Sequence, residues 1–475
     1  MTDHESENLC RIHRASMEIL RGTGMRFLHP DAIQVLRSNG VRVEDDTAHF
    51  TEEQVMEWVG KAPSVVCCVA AEPQFDVCVG DGTTHYATSG GPTMIMEADG
   101  TLRPSTTEDY IRLVKLYEQN DRFSLNGGLC CQPEDLPVEW ATPLLYYLAL
   151  RHSRKVVWTA GGDYRQMEIV FRLCMARFGL TEEELKAEPH TMAIVNTNTP
   201  LQLDVTMTET LFAMLKYRQP VVITAAAMAG TTSPATLAGT IAIANAEVLA
   251  AITLAQMYAP GAPVIYGSQS SNADMASCAM AIGSPEGALC YRYAALLAHK
   301  YGLPCRAGGS LTDALALDMQ AGWESMLTCL ASRESGVDVM FQSAGITAGY
   351  LAVSFEKLIA DFEIIDAVEQ YLGGVRTEAE ELPLELIRQT GPGGDFLAAE
   401  HTLRHCRNAA MTPHISVRGN SGGSAALGRR VERRMDQLLQ KYQGPELSEE
   451  TTDRMRQTLH QYGVAWEEIS RLDLL

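Results

Sequence analysis

The residues of this chain that are able to do chemistry cluster where short apolar runs end. Tyr86, Ser89, Asn126, Asn196, Asn198, Ser268, Gln269, Gln342 and Ser343 lie at or beside such endings, and all are neutral polar or aromatic residues interleaved with Gly and Ala. Groups of this kind orient and desolvate a substrate but have little means of moving a proton. Arg306 is the exception, suited either to pairing a substrate carboxylate or to anchoring a buried acid. Taken singly, each has an ordinary structural use, since Asn, Ser and Gly make turns and Tyr86 or Phe341 can fill a closed sheet. Taken together, they point to a pocket whose reacting centre needs no proton.

Metal and phosphate chemistry find less support. The 12 cysteines include two adjacent pairs, Cys67-Cys68 and Cys130-Cys131, but no C-x-x-C, and the 12 histidines form neither H-E-x-x-H nor H-x-C. The cysteines are therefore expected to be mostly small buried hydrophobes, and no metal site is expected. G-P-G-G-D-F (391–396) follows a helix and a loop where a dinucleotide or phosphate fingerprint requires a preceding strand.

The elements that must position these residues follow a repeating rhythm. Eight runs, 85–91, 123–128, 156–162, 192–198, 221–227, 264–271, 304–309 and 337–345, are each followed by a helical pattern. Their starts lie about 30 to 43 residues apart, the length of a strand–helix unit, and the whole fits an eight-fold α/β (TIM) barrel. A doubly wound open sheet is the alternative. Helix starts are expected at Thr106, at Ser233-Pro234 and at Ser284-Pro285. Residues 1–83 read as a helical cap ending in a small hairpin (Val65 to Ala70 with Phe75 to Val79), 84–372 as the (β/α)8 barrel, and 373–475 as an acidic loop followed by helices packed outside it.

Composition narrows the partners. With 38 basic against 59 acidic residues, the formal charge of -21 repels a phosphate backbone, so nucleic acid is not expected. The start of the chain lacks the basic end and apolar run of a secretory signal, and the most apolar stretch, 235–257, is interrupted by Asn245, Glu247 and Gln256. A core helix, no membrane and a cytoplasmic location are expected.

Several segments resemble one family. A-N-A-E-V-L-A (244–250), P-G-A-P-V-I-Y-G (260–267), L-P-C-R-A-G-G (303–309), T-D-A-x4-D-x-Q-A-G-x-E (312–324), S-F-E-K-L-I-A-D-x-E (354–363) and G-P-G-G-D-F-L-A-A-E-H-T (391–402) run in order as in the trimethylamine methyltransferase superfamily. The resemblance implies a TIM barrel that demethylates an amine and passes the methyl group to cob(I)alamin, a corrinoid carried by a separate partner protein. Founding members carry pyrrolysine, whereas this chain has only standard amino acids, so it is similar to the non-pyrrolysine branch acting on quaternary amines: glycine betaine, proline betaine, carnitine or γ-butyrobetaine. A homo-oligomer is also expected.

The implied chemistry suits the neutral run endings. A quaternary ammonium leaves as a neutral tertiary amine, so no general acid is needed, and aromatic faces and neutral oxygens around the cation contribute about 0.5 to 2 kcal/mol each. Tyr86 and Phe355 are the expected aromatic box, with Phe341 and Tyr266 next, while Gln342 and Gln269 are expected to offer carbonyl oxygens to the cation or amides to a carboxylate, and Arg306 to pair a substrate carboxylate or anchor a buried acid. No catalytic residue is singled out. A lyase or aldolase using Arg306, and a non-catalytic binder of quaternary amines, are the competing readings.

Overall fold

The computed structural model describes residues 3–419 and 426–475. Residues 1, 2 and 420–425 of the expected cap and extension lie outside the described residues. All eight runs form strands: β1 (His85–Ala87), β2 (Phe123–Gly127), β3 (Val156–Trp158), β4 (Ala193–Asn196), β5 (Val221–Ala225), β6 (Val264–Ser268), β7 (Cys305–Gly308) and β8 (Val339–Phe341). They pair in one parallel sheet in the order β3-β2-β1-β8-β7-β6-β5-β4. A parallel bridge from Thr159 to Ala193 joins the two ends of that order, so the sheet closes on itself as a TIM barrel and the open-sheet alternative falls.

The layer of helices follows the chain in the same alternation. α1 (Thr107–Glu118), α2 (Ala141–His152), α3 (Tyr164–Phe178), α4 (Val205–Lys216), α5 (Leu237–Tyr258), α6 (Pro285–Lys300), α7 (Met319–Glu334) and α8 (Phe355–Leu372) each succeed the strand of the same number. Thr106 and Ser284 cap their helices through side-chain oxygens as expected. Ser233 does not, because α5 begins only after Thr236, and the Ser233 hydroxyl instead lies 2.8 Å from that of Thr240. α5 is long and apolar enough to cross a membrane, yet 78% of its most apolar stretch is buried within the protein.

Because side chains alternate across a strand, each run splits between two cores. Ala87, Leu125, Val156, Trp158, Val222, Ile265, Val339 and Phe341 form the cluster inside the barrel. Tyr86, Phe123, Val157, Val195, Ile223, Tyr266, Ala307 and Met340 belong to the larger cluster shared with the helices outside it. The expected hairpin is present as Val66–Cys68 against Val77–Val79, and its apolar side chains join the inner cluster. Cys67 and Cys78 face each other in this hairpin and are joined by a disulfide, a pairing that no cysteine spacing in the sequence announces.

The N-terminal segment is less purely helical than its periodicity suggests. Helices Asp3–Gly22, Pro30–Ser38 and Glu52–Val59 are separated by short strands, Met25–Phe27, Arg42–Glu44 and Thr47–His49, which form a sheet with Gln202–Leu203 from the connection after β4. The first helix is tied to α5 by a buried polar cluster. Asn245 donates to the Ser16 hydroxyl at 2.9 Å and the Tyr301 hydroxyl at 3.0 Å, and accepts from the Tyr266 hydroxyl at 3.0 Å. Beyond α8, residues 406–419 are not helical, and the helices of the extension are Leu384–Thr390, Glu400–His405, Leu427–Gln440, Glu449–Gln461 and Trp466–Asp473. The last of these is moored where Asp473 accepts from Arg151 at 2.7 Å and Tyr147 at 2.5 Å.

Two stability effects follow. Asn245→Leu leaves hydroxyls of Ser16, Tyr266 and Tyr301 short of a buried partner and is expected to cost about 1–3 kcal/mol, read as a lower midpoint in urea unfolding. His152, at the end of α2, is held neutral mainly by burial and further by the charges of Lys115 and Arg151, its pKa pushed down to about 3. The unfolded chain takes up this proton near the ordinary value of 6.5 and the folded chain does not. Stability is therefore lost as pH falls below about 6.5, by up to about 1.4 kcal/mol per pH unit. His152→Gln is expected to flatten the acid slope of the unfolding midpoint by that amount between pH 6 and 5, and an unchanged slope would contradict it.

Candidate active site

A cavity of about 370 Å³ opens at the carboxyl end of the strands. This is the end at which barrels of this kind carry their chemistry. The inward parity of β3, β4 and β7 places Trp158, Asn196 and Arg306 on its wall, and the connections after β6 and β8 bring Gln269, Gln342 and Tyr350. Gly90, Gly91 and Gly161 also line it, with no side chains to occupy the space. Among the described residues lining it there is no Asp, Glu, His or Lys, and Arg306 is the only permanently charged side chain.

Arg306 is 2% exposed. Its Nη2 donates to Gln342 Oε1 at 2.6 Å and its Nη1 to Thr224 Oγ1 at 3.3 Å, while Nε has no partner. Gln342 reaches this position from left-handed backbone, with φ of 52°. Burial pushes the Arg306 pKa down to about 10, which still leaves the guanidinium charged at neutral pH. A buried cation whose neighbours are two neutral oxygens is only partly compensated, and a carboxylate is the group that completes its donor fork.

Trp158 supplies an aromatic surface. Its Nε1 donates to Thr88 Oγ1 at 2.8 Å, and its ring meets Phe341 edge-on, with centroids 5.0 Å apart. The indole occupies the space that a side chain at residue 128 would need, because a Cβ on Gly128 would fall 2.0 Å from it. Gln269 donates its amide to the Tyr350 hydroxyl and lies 3.4 Å from the Tyr291 hydroxyl, leaving its own Oε1 buried without a partner.

The structure brings three of the seven expected site residues to the cavity wall: Arg306, Gln269 and Gln342. Phe341 faces the barrel interior beneath them, 5.4 Å from the Arg306 guanidinium, and is fully buried. The expected box of Tyr86 and Phe355 is not assembled at the cavity. Tyr86 points outward from β1, donating to Glu369 of α8, and its hydroxyl is pushed upward in pKa mainly by burial. Phe355 is packed between α8 and α1, where the Arg112 guanidinium lies 4.3 Å from its ring. Tyr266 also points outward, to Asn245. The physical reason is one residue of strand parity for Tyr86 and Tyr266, and helix position for Phe355.

Trp158 and Tyr350 were not singled out from the sequence. The signal for Trp158 was available: it is the bulkiest residue of any of the eight runs and is followed by Gly161-Gly162. Tyr350 lies beyond the eighth run, after Gly349, in a connection with no periodicity to read.

The trimethylamine methyltransferase (MTTB) family profile matches residues 1–462. Glycine betaine methyltransferase of Desulfitobacterium hafniense is 34% identical over 95% of this chain and 95% of its own length. A trimethylamine methyltransferase of Methanosarcina mazei is 32% identical over 89% of this chain and 86% of its own. The crystal structure of the Methanosarcina barkeri monomethylamine methyltransferase aligns over 98% of this chain and 95% of its own, with 10% identity and a TM-score of 0.46. By a family match that spans almost its entire length, the chain belongs to the trimethylamine methyltransferase family and is a methyltransferase.

Proposed function

We infer that the chain demethylates a carboxylated quaternary amine, the betaine class that includes glycine betaine, proline betaine, carnitine and γ-butyrobetaine, and delivers the methyl group to the cob(I)alamin of a partner corrinoid protein. The observation that carries this reading is Arg306, a buried guanidinium with an unpartnered Nε in a cavity with no carboxylate of its own. A substrate carboxylate supplies the missing negative charge. An amine without one would bring a second positive charge to a site already short of anions.

The rest of the wall fits the other end of such a zwitterion. Trp158 on β3 and Arg306 on β7 are separated by four positions in an eight-stranded ring, so they rise from opposite walls. Phe341 is 5.0 Å from the first ring and 5.4 Å from the second group, which holds both within reach of one small molecule. The indole offers a π face to the ammonium, and the amide oxygen of Gln269 offers a neutral acceptor to its methyl hydrogens. Cob(I)alamin supplies the nucleophile, and a tertiary amine departs without a proton. What these residues contribute is orientation of the N–CH3 bond towards the open mouth and exclusion of water. The glycine betaine methyltransferase among the relatives supports the substrate class. A cytoplasmic, homo-oligomeric protein is part of the same reading.

Turnover of glycine betaine, proline betaine, carnitine, γ-butyrobetaine, choline and trimethylamine, followed by the absorbance change of free cob(I)alamin, tests it directly. One of the four carboxylated compounds is expected to be best; choline or trimethylamine in first place would refute the class, and tight betaine binding without methyl transfer would leave a binder. Arg306→Gln is expected to weaken betaine binding about 10- to 150-fold, the worth of a hydrogen-bonded charge pair. It should leave choline binding unchanged or improved. Its thermal midpoint should hold or rise, because an unpaired buried charge has been removed. Equal losses for betaine and choline would show that Arg306 is structural.

A further inference from the structure

Tyr350 sits on the connection between β8 and α8 in left-handed backbone, with φ of 73°, directly after Ala348 at 52° and Gly349 at 60°. A tyrosine is kept in such backbone only where its surroundings fix the side chain. Here they do. Gln269 donates to the Tyr350 hydroxyl and also approaches the Tyr291 hydroxyl at 3.4 Å, and Tyr291 in turn reaches the Ile282 carbonyl oxygen at 3.3 Å. These contacts decide which way the Gln269 amide faces. Its nitrogen is engaged with the two tyrosines, and its oxygen is left buried with no donor, on a residue that lines the cavity. A buried amide oxygen without a partner is uncommon and calls for an explanation, which the positively polarised methyl groups of an ammonium head supply.

We propose that Tyr350, latched by Gln269, is a specificity-determining residue: its ring bounds the space for the ammonium head and selects acyclic trimethylammonium heads over cyclic ones, while the free Gln269 oxygen faces the N-methyl carbons. The proposal rests on the betaine reading above and adds to it the element that measures the head. Neither residue touches a proton in transit, and neither is required for the nucleophile to be active.

Tyr350→Gly and Tyr350→Phe separate the parts. Glycine is at ease in left-handed backbone, so Tyr350→Gly should keep the turn and fold, with a lower thermal midpoint because the ring packed against the core is lost. The readout is the ratio of kcat/KM for glycine betaine to that for proline betaine, with the ratio of their affinities by calorimetry as a measure independent of turnover. Tyr350→Gly is expected to lower both ratios by at least about tenfold, the usual scale for one or two ring carbons in a fitted pocket. Tyr350→Phe keeps the ring and loses the latch, and is expected to raise KM for both compounds about three- to tenfold while preserving the ratio within about twofold. Ratios unchanged in Tyr350→Gly, with methyl transfer intact, overturn the proposal and leave the betaine reading standing. Absence of any betaine binding in the native protein overturns the betaine reading, and the proposal with it.

Discussion

Arg306 carries the constraint around which the site is arranged: a permanent positive charge held 2% exposed with no carboxylate in ion-pair contact among the described residues. Other buried charges of the chain are paired in contact. Lys357 and Asp361 bind each other in contact, with the lysine also donating to the Ser310 carbonyl at 3.0 Å, and Glu369 holds Arg333. Burial pulls these paired groups towards neutrality, lowering the Lys357 pKa and raising that of Asp361, and their contact opposes it. Arg306 has no such partner, and its neutral neighbours, Gln342 and Thr224, each offer it an oxygen without cancelling its charge. The barrel makes this arrangement possible because its inner cluster holds the guanidinium from below while the open end leaves one side for a ligand.

The architecture was legible in the sequence for a physical reason. In a parallel barrel every strand is buried on both faces, so each reads as an uninterrupted apolar run, and each crossover needs a helix of similar length. Run and spacing alone therefore identify the eight strands. The same burial on both faces conceals which residues look inward. V-V-W-T (156–159) contains no alternation of apolar and polar residues to separate Val157, which faces the helices, from Trp158, which faces the cavity. The same lack of alternation conceals that Tyr86 points outward. Its hydroxyl finds Glu369 outside the barrel, a partner 283 positions away that no local pattern announces. The polar endings were more informative than the aromatic ones, since Gln269, Gln342 and Arg306 come from segments just at or beyond the strand ends, where only the cavity and the turn compete for them.

The segments flanking the barrel lost their strands and irregular stretches to a similar effect. Met25–Phe27 pairs with Gln202–Leu203, so its strand character depends on a connection far along the chain. That connection is itself shaped by a buried carboxylate. Glu247 on α5 accepts from the Thr197 and Thr199 hydroxyls and from the Leu201 amide, and burial raises its pKa. Glu247 was expected on a buried helix, and its place there explains how the N-terminal layer, the fourth connection and α5 are tied together. In the C-terminal extension the corresponding device is Glu363, whose carboxylate accepts from the backbone amides of His414, Ile415 and Ser416 and fixes a non-helical strap against α8.

Three of the seven non-glycine residues with positive φ among the described residues lie in the connection after β8. Gln342, Ala348 and Tyr350 all take positive φ within nine residues of β8, and Gln342 and Tyr350 line the cavity. Backbone of this kind has a cost of order 1–3 kcal/mol for each residue, and only firm surroundings sustain it. The firm surroundings are the paired tyrosines, Gln269 and the strand pairing of Ile346–Thr347 with Ala352–Val353 that brackets the turn. The same connection pairs Ala352–Val353 with Met94–Ile95, so it serves the fold as well as the cavity. It aims one amide at the guanidinium and one aromatic ring at the space beside it, with the geometry set before any ligand arrives.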